Sequence, residues 1–203
     1  MARLLYVVDP MCSWCWGFTG VRAEVSKELP DLEWQLVMGG LAPDSDEPMD
    51  EETRAYVQDA WRAVAQRTGA EFNHDFWTEC APRRSTYPSC RAVIVAGESG
   101  KSEEMLAAIQ RAYYQEARNP SDTETLTALA ADIGLDPAAF ETALHSPDTQ
   151  TRLEGDFALR SAIGAYSFPS VGLLDGEEAQ LVATGWCDAQ ALTDAVRESL
   201  RGF

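Results

Sequence analysis

Two cysteines near the start of the chain are spaced for redox chemistry. Cys12 and Cys15 enclose Ser13 and Trp14, and two thiols one helical turn apart can form and break a mutual disulfide. An unpaired backbone N–H at the start of a helix stabilises a thiolate, which is the form of the group that attacks. We therefore expect Cys12 to attack a disulfide and Cys15 to displace the mixed disulfide that results.

The segments around this cysteine pair are of the kind that would hold it in place. An apolar run over residues 3–8 predicts a buried strand. A helix is expected over residues 13–29, where a proline stops it, and a second strand over residues 33–38. The pattern therefore predicts a β-α-β unit with the cysteine pair at its first strand-to-helix junction.

The remainder of the chain divides into a helical tract and a second segment that contains strands. Helical patterns dominate residues 45–147, and Ser121 with Glu124 predicts a capping box at the start of one helix. A further helix, two strands joined by an Asp175-Gly176 turn, and a last helix follow. The predicted order is β-α-β, a helical block, and then α-β-β-α.

The opening motif resembles that of a known family. Asp9-Pro10-Met11-Cys12-Ser13-Trp14-Cys15-Trp16-Gly17-Phe18 is similar to the start of the DsbA-like thioredoxin-fold oxidoreductases, closest to their intracellular, FrnE-like branch of predicted protein-disulfide isomerases. Phe168-Pro169-Ser170-Val171 matches the position of that family's cis-proline loop, and the tract from about residue 45 to 147 matches its inserted helical domain. The resemblance covers nearly the whole chain.

The resemblance implies a fold and an activity. The fold is α/β, a thioredoxin-like domain of residues 1–44 plus 148–203 with a large all-helical insertion over residues 45–147. Pro169 is expected to be cis and to lie against the cysteine pair, and the backbone at Phe168 is expected to bind an extended substrate segment. The implied activity is thiol–disulfide exchange, as an oxidase, reductase or isomerase, on protein or small-molecule disulfides. It requires no cofactor, and glutathione is a candidate redox partner.

Side chains beside the cysteine pair are candidates for shaping or assisting the site. Ser13 and Trp14 lie between the cysteines, and Trp14 could hold apolar peptide segments, whereas Trp16 is expected to pack between helix and sheet. Asp9 closes the first strand. A partly buried carboxylate there could relay a proton from Cys15, or it could cap the following helix.

A second group of residues has a weaker claim to function. Cys80 and Cys90 could form another redox pair, could be unrelated thiols, or could join the first cysteine pair in a four-thiolate zinc site. We expect no metal site, because the usual spacing of a paired zinc motif is absent. Arg83 and Arg84 could face the thiolate or an anionic ligand such as glutathione, or could pair with surface carboxylates.

Composition excludes some functions and leaves two rival hypotheses. A net charge of −17 disfavours binding to nucleic acid or to an anionic membrane. No signal peptide or membrane span is recognised, so a cytoplasmic location is expected. One rival is a glutathione-dependent transferase or isomerase of the kappa-class or chromene-carboxylate type. The other is a peptide-binding or zinc-stabilised module without catalysis. The oligomeric state is not indicated by the sequence.

Overall fold

The computed structural model describes residues 2–202, which form four strands and ten helices. The strands are β1 (Arg3–Val8), β2 (Glu33–Met38), β3 (Ser170–Asp175) and β4 (Glu178–Thr184). The helices are α1 (Ser13–Trp16), α2 (Thr19–Glu28), α3 (Glu51–Thr68), α4 (Phe76–Glu79), α5 (Tyr87–Gly97), α6 (Ser102–Tyr114), α7 (Thr123–Asp132), α8 (Pro137–Leu144), α9 (Pro147–Ala162) and α10 (Ala189–Leu200). The predicted α/β order of elements is confirmed.

The strands form one sheet in the order β2-β1-β3-β4. β1 pairs in parallel with β2 and antiparallel with β3, and β4 is antiparallel to β3. Because Val7 near the end of β1 lies opposite Ser170 at the start of β3, the residues after β1 and those before β3 reach the same edge of the sheet. This pairing brings two distant parts of the sequence together at one site.

The alternating side chains of β1 are buried on both faces of the sheet. Leu5 and Val7 pack with Ile163 and with Leu159 of α9 on one face. Leu4, Tyr6 and Val8 belong to the larger cluster on the other face, which includes residues of α2, α5 and α10. A strand covered on both faces needs a continuous apolar run, which explains why residues 3–8 lack polar alternation.

The helices α3 to α8 follow β2 and precede α9, at the place predicted for the inserted helical tract. Trp61 of α3 is fully buried and lies within 5.0–5.8 Å, ring centre to ring centre, of aromatic rings from other parts of this tract. The division into a discontinuous domain and an insertion remains a prediction, and its outermost residues, Met1 and Phe203, lie outside the described residues. No helix within residues 2–202 is long and apolar enough to cross a membrane.

The predicted helix over residues 13–29 is wrong in one respect, because it is broken into α1 and α2 at Gly17 and Phe18. The Gly17 carbonyl accepts a hydrogen bond from the Trp186 indole at 3.1 Å. A methyl group on Gly17 would approach Val64 of α3 to 2.7 Å. The break therefore lies where the chain is in contact with both α3 and the loop before α10.

The predicted capping box is also wrong. The Ser121 hydroxyl donates to the Ser85 carbonyl at 2.7 Å, and Asp122 occupies the N-cap position of α7. A hydroxyl that ties the helix start to the loop before α5 is unavailable to the helix itself. The tertiary contact has replaced the local one.

Candidate redox active site

The cysteine pair lies at the edge of the sheet, directly after β1. The chain leaves the strand in a tight turn in which the Cys12 N–H donates to the Asp9 carbonyl at 3.0 Å. Cys12 is the N-cap residue of α1, and its carbonyl accepts from the Trp16 N–H at 3.1 Å. The turn and the short helix hold the two cysteines 3.5 Å apart as free thiols.

The two thiols differ in their access to solvent. Cys12 is 7% exposed and lines a cavity at the surface, whereas Cys15 is completely buried. Burial, together with the hydrogen bond and charge of the neighbouring Cys12, raises the pKa of the Cys15 thiol well above its usual value. An accessible thiol and a buried, protonated thiol are therefore distinguished by their positions.

The segment before β3 completes the edge of the site. The Phe168–Pro169 peptide bond is cis, and the Phe168 carbonyl accepts a hydrogen bond from the Cys12 thiol at 3.6 Å. The Phe168 ring packs against the turn after β2, where a methyl group on Gly39 would come within 2.7 Å of it. The guanidinium of Arg160 lies 5.6 Å from the centre of the same ring. The loop before β3 is thereby held by contacts with Cys12, Gly39 and Arg160.

Asp9 is completely buried, and its carboxylate holds together the segments around the cysteine pair. One carboxylate oxygen accepts from the Met11 N–H at 2.8 Å. The other accepts from the Leu41 N–H and the Thr86 hydroxyl, both at 2.6 Å, and from the Cys90 thiol at 3.6 Å. Burial raises the pKa of Asp9, although these hydrogen bonds oppose the rise. Asp9 thus joins the cysteine loop to the segment after β2 and to the start of α5.

A cavity of about 300 Å³ opens beside Cys12. Ser13 and Trp14 line it, as does Phe168, so three of the residues predicted to shape the site share one space with the candidate nucleophile. The remaining lining residues come from α3 and from the loops after β1, after β2, before α5 and before β3: Met11, Leu41, Tyr56, Val57, Ala60, Trp61, Arg84, Tyr166 and Ser167. Pro169 is buried and does not line the cavity.

Two aromatic residues at the cavity were not predicted as site residues. Tyr56 and Tyr166 are 67% and 71% exposed, the largest values among the exposed large hydrophobic side chains. Exposed tyrosines commonly bind ligands through an apolar ring and a polar hydroxyl. Only their shared cavity shows that they belong to the site.

Trp16 packs differently from the sequence-based expectation. Its ring stacks on Tyr114 of α6 at 5.7 Å, and its indole N–H donates to the Glu71 carbonyl at 3.1 Å. It therefore contacts the helical tract and not the sheet. The cysteine loop and the helices are joined through this side chain.

The second group of cysteines is not brought together. The Cys80 thiol donates to the Ala117 carbonyl at 2.9 Å, whereas the Cys90 thiol is completely buried against Asp9. Burial raises the pKa of both thiols. Within residues 2–202 no group of three or more His, Cys, Asp or Glu side chains is arranged to hold a metal ion, so the four-thiolate zinc site is not formed there.

Comparisons with known proteins bear on the whole chain. A family model described as a DSBA-like thioredoxin domain matches residues 3–197. A candidate protein disulfide isomerase from Nitrosomonas europaea is 28% identical, with a TM-score of 0.87 over 99% of this chain and 98% of its own. The cytosolic disulfide reductase DsbM from Pseudomonas aeruginosa is 26% identical, with a TM-score of 0.79 over 99% of this chain and 100% of its own. DsbM has also been solved with glutathione, with a TM-score of 0.75 at 26% identity over 98% of this chain and 99% of its own. The uncharacterized protein YwbO from Bacillus subtilis (strain 168) is 26% identical over 141 residues, which is 68% of this chain and 69% of YwbO.

Proposed function

The chain belongs to the DSBA-like thioredoxin domain family, and from this premise we propose that it is a thiol–disulfide oxidoreductase whose redox pair is Cys12 and Cys15. The observation that carries the proposal is the difference in exposure between the two thiols. Cys12 lines the cavity, whereas Cys15 is completely buried directly behind it. A substrate disulfide entering the cavity meets only Cys12.

The proposed reaction is a pair of exchange steps. The Cys12 thiolate attacks one sulfur of the substrate disulfide, a mixed disulfide forms, and the other substrate sulfur leaves as a thiolate. Cys15 then loses its proton and attacks the Cys12 sulfur, which releases the second substrate thiol and leaves a Cys12–Cys15 disulfide. Two electrons pass from the protein to the substrate, and an external thiol must reduce the protein again.

Asp9 is proposed to support this cycle by holding the loop, and its role as a proton relay remains a prediction. Its carboxylate oxygens are occupied by the donors of Met11, Leu41, Thr86 and Cys90. Burial and the neighbouring Cys12 raise the pKa of Cys15 most, while a hydrogen bond to the Asp9 backbone opposes the rise and the charge of Asp9 adds to it. It is therefore mainly burial that keeps Cys15 protonated until a mixed disulfide forms.

We favour the reductive direction, with glutathione as the thiol that restores the reduced protein. DsbM, at 26% identity, is described as a cytosolic disulfide reductase, and we extend both that direction and that location to this chain. The residues between the cysteines, Ser13 and Trp14, include no histidine to stabilise a thiolate. A dithiol with a less stabilised thiolate is a stronger reductant, so a potential well below the roughly −120 mV of DsbA is expected.

The test is a titration of the protein in glutathione buffers, with the thiols trapped and mapped by mass spectrometry. We expect Cys12 and Cys15 to interconvert as a two-electron couple and Cys12 alone to form a mixed disulfide in the Cys15→Ser variant. A pair that does not respond to the buffer would overturn the proposal. Full activity of Cys15→Ser with tightly bound glutathione would favour a glutathione-dependent transferase or isomerase instead.

A further inference from the structure

The cavity beside Cys12 contains one cation, Arg84, and no acidic side chain. This composition is unusual for a chain with 33 acidic residues and 16 Lys plus Arg. Within residues 2–202, Arg84 forms no hydrogen bond and no ion pair. Its neighbour Arg83 instead contacts the Asp122 carboxylate and the Ser121 carbonyl. One arginine of the pair is therefore committed to the fold, and the other is free at the cavity.

The shape of the cavity suits a small molecule. Its volume of about 300 Å³ is at the lower end of ligand pockets in proteins. Tyr56 of α3 and Tyr166 of the loop before β3 stand at its mouth, and both rings are largely exposed. These apolar walls with a single cation are complementary to a compact ligand that carries one acidic group near an uncharged body.

We propose that Arg84 makes the site selective for low-molecular-weight disulfides that carry a carboxylate close to the reacting sulfur. The inference rests on the proposed function, since the carboxylate is useful only if Cys12 attacks the neighbouring disulfide. Arg84 forms a charge-assisted hydrogen bond to that carboxylate and holds the disulfide against Cys12. It takes no part in the exchange of electrons and is a specificity-determining residue.

The experiment compares three disulfides of nearly equal size that differ in charge. They are 3,3′-dithiodipropionic acid, bis(2-hydroxyethyl) disulfide and cystamine, which carry a carboxylate, a hydroxyl and an amine on the same two-carbon spacing. The second-order rate constant for loss of the Cys12 thiol is measured for the reduced protein by acid quench and mass spectrometry. The variants are Arg84→Gln, Arg84→Lys and, as a matched control, Arg83→Gln.

We expect Arg84→Gln to slow the reaction with the dicarboxylate by about tenfold, the effect of losing one charge-assisted hydrogen bond, and to leave the hydroxyl disulfide within about twofold. The reaction with cystamine should become faster. Arg84→Lys should restore part of the preference, and Arg83→Gln should not change the order of the three substrates. Circular dichroism of each variant verifies that it is folded.

Two results would overturn the inference. An equal loss of rate with all three disulfides would mean that Arg84 acts on the Cys12 thiolate and not on the substrate. An unchanged preference in Arg84→Gln would mean that the free arginine does not contact the ligand. If the wild-type protein reacts with none of the three but its cysteine pair responds to glutathione buffers, the selectivity fails and the proposed function stands. If it responds to neither, both fail.

Discussion

Replacement of Asp156 by Asn should stabilise the protein at neutral pH, and the stabilisation should become smaller in acid. Asp156 lies on α9, and its carboxylate accepts a hydrogen bond from the Met38 N–H at 2.8 Å, at the end of β2. Burial raises the pKa of Asp156 from 3.8 to about 6, although this hydrogen bond and the charge of Arg152 oppose the rise. An asparagine keeps an oxygen that can accept from Met38 but carries no charge.

The sign and size follow from proton linkage. The folded protein holds the Asp156 proton more tightly than the unfolded chain does. The contribution of this group to stability is therefore fully present below the pKa of the unfolded chain and is lost as the pH rises through the pKa of the folded protein. A rise in pKa from 3.8 to about 6 means that the ionised carboxylate lowers the free energy of unfolding by about 3 kcal/mol at pH 7 and by about 1.5 kcal/mol at pH 5. The advantage of the Asn variant should therefore grow by about 1.5 kcal/mol across this interval.

The assay is urea unfolding at several pH values between 5 and 7.5, followed by circular dichroism. The control is Asp31→Asn in the turn between α2 and β2, an exposed carboxylate whose removal reports the benefit of losing one negative charge from an acidic chain. An advantage of Asp156→Asn that is the same at pH 5 and pH 7 would refute the reasoning. So would an advantage no larger at pH 7 than that of the control.

Three further substitutions test contacts at the site. Gly39→Ala should lower the free energy of unfolding in urea by about 1–3 kcal/mol, because the new methyl group would lie 2.7 Å from the Phe168 ring. It should also alter the alkylation rate of Cys12, since the Phe168 backbone carbonyl contacts that thiol. Gly17→Ala should cost about 1–3 kcal/mol in the same assay, because its methyl group would lie 2.7 Å from a side chain of α3. Asp9→Asn should destabilise the protein by about 1–3 kcal/mol, measured by thermal unfolding, because an amide cannot accept from all the buried donors around that carboxylate.

Gly20→Ala is the matched control for both glycine variants, since a methyl group at Gly20 in α2 meets no atom within 4 Å. It should be neutral or slightly stabilising, as expected for alanine in a helix. A cost at Gly20 as large as that at Gly17 or Gly39 would contradict the steric explanation. For Asp9, unchanged stability of the Asn variant would contradict the bracing role.

Local patterns in the sequence were sufficient to predict most of the helices and strands. The continuous apolar run of β1 reports its own burial on both faces, and the Asp175-Gly176 turn joins β3 and β4 as predicted, with Gly176 at a φ of 58° that glycine readily adopts. The Asp188 side chain caps α10 by accepting a hydrogen bond from the Ala191 N–H, and aspartate is one of the residue types that favour this position. Such features depend on residues a few positions apart, so they can be recognised without the fold. The position of the cysteine pair after β1 is of the same kind.

The amino-acid sequence by itself therefore determined the order of elements and the candidate redox pair, whereas the surroundings of that pair were decided by tertiary structure. Arg83 and Arg84 are adjacent and chemically identical, and only the packing of α7 shows which one is paired and which one faces the cavity. The raised pKa of Asp156 depends on its burial against β2, and the contact between Cys12 and Phe168 spans 156 positions. Burial and charge at a point in space are set by every segment that reaches it, and a local pattern records only one of them.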